Sequence, residues 1–259
     1  MEEPRVQPAT GGTSDGGALR IWAPFATIVL IAGVLIAAYA YRRFGAAQTV
    51  PQSAPRDLAQ EARADLEQRN FRPLSAPLAA LLDDPKYESI PTQAHLLLLQ
   101  PAPDFTLRDV DGKEWSLEKQ LKDGPVVLVF YYGYHCNHCV SQLFALDKDI
   151  EKFRELGVQM VAVSADPAET TRERFKKYGA FMFPVLSDPG NKVAALYETY
   201  VPNPVAGQEG DLLHGTFVIS RQGKVIWANR GDRPFTENHT LLLESARTEG
   251  RLPRKSSEQ

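Results

Sequence analysis

The chain has 259 residues, 43% of them apolar and 24% charged, with a formal net charge of −3. That length accommodates one ordinary domain plus appendages, and the near-balanced charge excludes a partner such as nucleic acid that is held by a basic surface. Two cysteines are too few for a disulfide-stapled scaffold, which leaves thiol catalysis or metal binding as their use.

Residues 1–20 are rich in Gly, Pro, Ser and Thr and are expected to form a disordered tail. Residues 21–41 contain no charged side chain, and Arg20 and Arg42-Arg43 bound them. As a helix they would span about 31 Å, the thickness of a bilayer's hydrocarbon core. Trp22, Tyr39 and Tyr41 lie near the two ends, as interfacial aromatics do. This pattern predicts a single-pass transmembrane anchor. A cleaved signal peptide ending at Ala38-Tyr39-Ala40 is the competing reading, disfavoured by the long apolar core and by Glu2, Glu3 and Asp15 ahead of it. Arginines on both flanks leave orientation open, and analogy with other tethered redox domains places the following domain on the extracytoplasmic, periplasmic side.

Residues 44–95 are expected to be a linker or stalk with two short helices, Asp57–Asn70 and Ala76–Asp83. In the first, Leu58, Ala62 and Leu66 recur at helical spacing. A domain over residues 96–247 follows, in which strands and helices alternate. Phe105-Thr106-Leu107 and Trp115-Ser116-Leu117 flank Asp111-Gly112, a hairpin signal. Val126–Tyr132 reads as a buried strand. Leu143, Leu146, Ile150 and Phe153 mark one face of a helix from Cys139 to Leu156. Val158–Val163 is the next strand. A helix then starts at Asp166-Pro167-Ala168-Glu169, with Asp as N-cap, Pro at the first helical position and Glu at the third. Phe183–Leu186 is a short strand, and Asp188-Pro189 opens a helix through Tyr197. Thr216–Ile219 and Val225–Ala228 form a closing hairpin around Gln222-Gly223. Residues 248–259 are a basic, polar tail expected to be disordered. The whole pattern predicts an α/β chain: a thioredoxin-like αβα sandwich preceded by a single transmembrane helix.

Cys136-Asn137-His138-Cys139 holds both cysteines at a strand-to-helix junction. Helix-initial N–H groups and the helix dipole stabilise a thiolate there, and so does an imidazole such as His138 or His135 beside it. Two cysteines three apart can also close a disulfide with little loop entropy lost.

The run VVLVFYYGYHCNHCVSQL, followed by GVQMVAVSAD, FPVLSDPGNKVA and GTFVISRQGKVIWANRGDRP, resembles the peroxiredoxin-like branch of the alkyl hydroperoxide reductase/thiol-specific antioxidant (AhpC/TSA) family over about residues 100–236. The resemblance implies a thiol-dependent oxidoreductase or peroxidase, antioxidant in role, with no bound cofactor and an external thiol reductant such as a thioredoxin-like protein. Laid on the family's Pro-x-x-x-Thr-x-x-Cys pattern, Cys139 takes the peroxide-reducing position, Cys136 the threonine position and Tyr132 the proline position. Cys136 would then be the resolving thiol. Thioredoxin-like sites assign the roles the other way, with Cys136 as nucleophile, and His138 resembles a placement found in strongly oxidising periplasmic thiol oxidases. Peroxide and protein disulfide therefore both stand as substrates.

His214 is the nearest match to an arginine that peroxiredoxins carry near the thiolate, and Gly215 occupies about the place of the thioredoxin cis-proline. His214 also supports an alternative from another class. Tethered copper-delivery proteins of the SCO type resemble this chain in having two cysteines and a distal histidine, and two thiolates with an imidazole suit Cu(I). That family spaces its cysteines by three residues, where this chain has two. His95 and His239 read as surface or packing residues, and Arg230 and Arg233, in Arg-Gly-Asp-Arg-Pro after the last strand, as a solvated turn in preference to a source of positive potential.

Overall fold

The computed structural model describes residues 31–39, 57–133, 136–205, 208 and 210–252. The chain forms two compact units, Met1–Arg56 and Asp57–Gln259.

In the first unit, residues 31–39 form helix α1, exposed along its length. These nine residues rise about 13 Å, less than half of a bilayer's apolar thickness. Among the described residues no helix is long and apolar enough to cross a membrane. The expected membrane anchor, and with it the extracytoplasmic location, is corrected by that finding: the uncharged composition of 21–41 satisfied a hydropathy rule without a described span to match. The rest of 21–41, the 1–20 tail and residues 253–259 lie outside the described residues.

The second unit begins with α2 (Leu58–Gln68) and α3 (Leu78–Asp83). Asp57 caps α2 by accepting from the N–H groups of Ala59 and Gln60. Then come β1 (Thr106–Asp109), β2 (Glu114–Ser116), α4 (Leu117–Leu121), β3 (Val126–Phe130), α5 (Asn137–Glu155), β4 (Gln159–Ser164), α6 (Ala168–Tyr178), β5 (Val185–Ser187) and α7 (Lys192–Leu196). A two-stranded ribbon, β6 (Tyr200–Val201) and β7 (Asp211–Leu212), precedes β8 (His214–Ile219), β9 (Val225–Gly231) and α8 (Asn238–Thr248).

Seven strands form one mixed sheet in the order β2-β1-β5-β4-β3-β8-β9. β3, β4 and β5 run parallel, and β8 lies antiparallel to β3. Every residue of β3 is buried, as a central strand covered on both faces requires, and its side chains divide by parity. Val127 and Val129 face the cluster made by Leu58, Ala62, Leu143, Leu146, Phe153 and Leu241. Val126, Leu128 and Phe130 face Phe105, Trp115, Tyr197 and Phe217. Burying each such side chain contributes about 1.5–3 kcal/mol. The result is the thioredoxin-like αβα sandwich that the element order implies.

The segment read as a stalk donates Leu58, Ala62, Leu78 and Leu81 to this core, and α2 packs along α5. Three local readings change. Helix α6 starts at Ala168 with Pro167 at its N-cap and no side-chain cap, so Asp166 is not the cap. Asp188 does cap a helix, but from three residues before Asn191, accepting from the N–H groups of Lys192, Val193 and Ala194. The sequence reading also missed α8, whose Leu241, Leu242 and Leu243 are buried; a triple leucine carries no helical period of its own.

Candidate redox site

Strand β3 ends at Phe130, and α5 begins at Asn137, with Cys136 before it. Gly133 makes this connection possible. Its φ is +95°, and a Cβ there would lie 2.5–2.7 Å from the Asp166 carboxylate. Asp166 is thus placed against the loop rather than on α6.

Cys136 is the N-cap of α5, and its Sγ accepts the backbone N–H of Cys139 at 3.3 Å. That is the hydrogen bond a thiolate would receive from a helix N-terminus. The two cysteines are joined as a disulfide, with Cα atoms 5.3 Å apart, inside the range such a bond needs. Cys139 is fully buried, whereas Cys136 is half-buried.

His214 opens β8 and is only 2% exposed. Register explains its position: Phe130 pairs with Gly215, so the residue before Gly215 lies alongside the start of the loop after β3. Its ring meets that of Tyr132 at 4.6 Å between centroids. Burial, reinforced by the nearby Arg69 and His138, pushes its pKa down to about 4, so the ring is neutral at pH 7. Its Nδ1 is buried and makes no hydrogen bond among the described residues. One donor atom from each of Cys136, Cys139 and His214 falls within 4.8 Å of the others. These three residues could therefore hold a soft metal ion once the disulfide is reduced.

Beneath them, the buried Gln142 Nε2 donates to Thr216 Oγ1 at 2.8 Å, tying α5 to β8. Gly215 is closely packed by Thr199 and Phe217, so a side chain would not fit there. A cleft of about 440 Å³ borders the site, lined by Tyr132, Asp166, Asn191, Tyr200 and Leu212. Burial, then Asp232 and Asp211, raises the Tyr132 phenol pKa above its usual value, so this ring is neutral where it faces the cleft.

His138 is 56% exposed at its side chain and pairs through Nδ1 with Asp65 Oδ1 at 2.6 Å. His135 lies outside the described residues. The other singled-out residues are elsewhere. His95 is buried edge-on to Phe217, and its pKa is lowered by burial. His239 packs on Tyr87, and Arg230 donates to the Glu198 carbonyl oxygen at 2.5 Å. Sequence reasoning missed Asp65, Gln142, Thr216 and the Gly133–Asp166 contact. A signal existed for Asp65, an acid on the Leu58-Ala62-Leu66 face where an apolar residue would be expected.

A model of the AhpC/TSA family matches residues 98–228. The chain is 40% identical over 126 residues to a chloroplastic protein described as a putative peroxiredoxin Q from Oryza sativa subsp. indica, covering 48% of this chain and 54% of that one. It is 32% identical over 125 residues to the thiol-disulfide oxidoreductase ResA of Bacillus cereus, covering 48% of this chain and 65% of that one. The chain thus spans about half to two thirds of the length of these relatives. Among solved structures, the peroxidoxin BcpB from Mycobacterium tuberculosis superimposes with a TM-score of 0.53 at 24% identity, covering 62% of this chain and all of that one. That likeness establishes the shared fold.

Proposed function

Because the chain belongs to the AhpC/TSA family, we propose that it is a thiol peroxidase working through a Cys136/Cys139 dithiol–disulfide couple. The observation that carries this reading is the pair's position: a half-buried sulfur at the N-cap of α5, bonded to a buried sulfur one turn on.

The accessible Cys136 is the nucleophile. Its thiolate attacks one oxygen of a hydroperoxide; the S–O bond forms, the O–O bond breaks, and the alkoxide or hydroxide leaves and takes a proton. The Cys139 thiolate then attacks the Cys136 sulfenic sulfur, closing the disulfide and expelling hydroxide, which is protonated to water. Both electrons come from the two sulfurs, so one peroxide consumes one dithiol. An external dithiol, such as a thioredoxin-like protein, restores the pair by exchange. Helix-initial N–H groups favour the thiolate, and neutral Tyr132 and His214 flank it without an added negative charge. The similarity to a protein named for thiol-disulfide exchange keeps protein disulfides as the other substrate class, and the same Cys136 thiolate would attack them.

The test is peroxide consumption by the full chain under excess dithiol. One peroxide should disappear per dithiol oxidised. Consumption no faster than the reductant alone overturns the peroxidase reading.

A second reading is favoured by the Cys136–Cys139–His214 cluster, whose donors suit monovalent copper. On this reading the reduced protein binds one Cu(I), and competition with a chromophoric Cu(I) chelator reads the affinity. His214→Ala should weaken binding at least about tenfold, and either cysteine-to-serine change should remove it. Affinity indifferent to His214 sinks this reading.

A further inference from the structure

We propose that Asp65, on a helix outside the family-matched residues 98–228, is a positioning residue of the redox site that sets the Cys136/Cys139 equilibrium through His138.

Asp65 is 6% exposed, on the face of α2 that packs against α5. Its two oxygens take three side-chain hydrogen bonds: Oδ1 pairs with His138 Nδ1 at 2.6 Å, and Oδ2 accepts from Ser141 Oγ at 2.7 Å and Arg69 Nε at 2.8 Å. Burial alone would raise its pKa, but these donors outweigh burial and hold it below the usual carboxylate value. An ionised carboxylate only accepts, so the proton of the short contact resides on His138 Nδ1. The bond therefore holds a proton on Nδ1 and restrains the ring plane of His138, one of the two residues between the cysteines. The single Ser141 hydroxyl proton is shared between Asp65 Oδ2 and the His138 carbonyl oxygen, 2.5 Å from Ser141 Oγ, so the same bracket touches the backbone of the helix's first turn.

The charges are local to this bracket. Arg69 sits on the same carboxylate and offsets its charge, so Asp65 has little direct field to exert on the sulfurs. What remains is its hold on His138. A carboxylate that orients an imidazole beside a reactive group commonly alters that group's reactivity without touching it. Helix α2 would then be a working part of the site as well as a wall of the core.

The inference rests on the redox reading of the pair but not on peroxide as substrate, and its test reads the couple alone. The full chain is equilibrated in glutathione buffers, so that the disulfide plus two glutathione thiols interconverts with the dithiol plus oxidised glutathione. The dithiol fraction is read by thiol alkylation. Asp65→Asn should change the equilibrium constant at least about threefold, where tenfold corresponds to about 30 mV. In a His138→Asn background the same change should have almost no effect, because the path from Asp65 to the sulfurs has been cut. Asp65→Glu, which keeps a carboxylate, should recover at least half of the shift. Leu66→Ala loosens the α2 packing while leaving Asp65, and should lower the melting temperature with the equilibrium unchanged. An unchanged constant in Asp65→Asn overturns the proposal. So does an equal change in both backgrounds, which would mean a direct field, and so does a Leu66→Ala shift as large as that of Asp65→Asn.

Discussion

Serine at position 136 is expected to lower dithiol-driven peroxide turnover by more than about a thousandfold, since the nucleophile is lost, whereas serine at position 139 should leave the slower turnover that the external dithiol sustains by reducing the Cys136 sulfenic acid itself. The two variants should fail differently. With Cys139 replaced, Cys136 still reacts, and without its internal partner the sulfenic acid persists until the external dithiol reduces it. With Cys136 replaced, the remaining sulfur is fully buried, and stoichiometric oxidation should be slower than in the Cys139→Ser protein by on the order of a hundredfold. Mass spectrometry after one equivalent of peroxide distinguishes the two. A trapped adduct on Cys139 in the Cys136→Ser protein, with none on Cys136 in the other, would reverse the assignment. It would agree with the family pattern, which places Cys139 at the peroxide-reducing position. The two assignments differ in what they ask of the fold: attack at Cys139 requires the first turn of α5 to open, whereas attack at Cys136 does not.

Gly133→Ala should lower stability by about 2–4 kcal/mol. Two effects add. At φ +95° an L-residue is strained by about 1–2 kcal/mol, and the new Cβ would lie 2.5–2.7 Å from the Asp166 carboxylate, which must move. Because Gly133 is three residues before Cys136, that movement also shifts the N-cap of α5, and turnover should fall with stability. Urea unfolding measures the first part: the midpoint should drop with an unchanged slope. Adding Asp166→Gly should return the contact part and leave the backbone part. A Gly133→Ala protein within about 0.5 kcal/mol of wild type would mean that the loop relaxes freely, and Gly133 would then have no part in positioning Cys136.

The seven strands of the main sheet and most of the helices were legible because their signals are local, whereas the β6–β7 ribbon carried none. Val126–Phe130 is a continuous apolar run of the kind a doubly covered strand needs, and the residues before and after Asp111-Gly112 alternate as a hairpin does. The cysteine motif marked, through spacing and junction alone, a pair able to form a disulfide. At residues 21–41 the uncharged run satisfies a hydropathy rule, while among the described residues no helix is long and apolar enough to cross a membrane. Asp166 misled as a helix cap. Its position before a proline matches a helix start, yet the carboxylate lies against Gly133, a contact that depends on how the loop after β3 passes the end of β4.

The amino-acid sequence by itself determined the layered sheet, because periodicity and turn chemistry are properties of neighbouring residues, and it identified the family through a resemblance running over about residues 100–236. Only the tertiary structure decided what surrounds the thiols. His214 reaches them because β8 pairs with β3 in one register, and a slip of one residue would turn it to the other face. Asp65 reaches His138, 73 residues away in sequence, because the apolar stripe of α2 has α5 to bury against. Side-chain burial, and with it the neutral state of His214, follows from which surfaces meet, and those meetings are settled by the packing of the whole core.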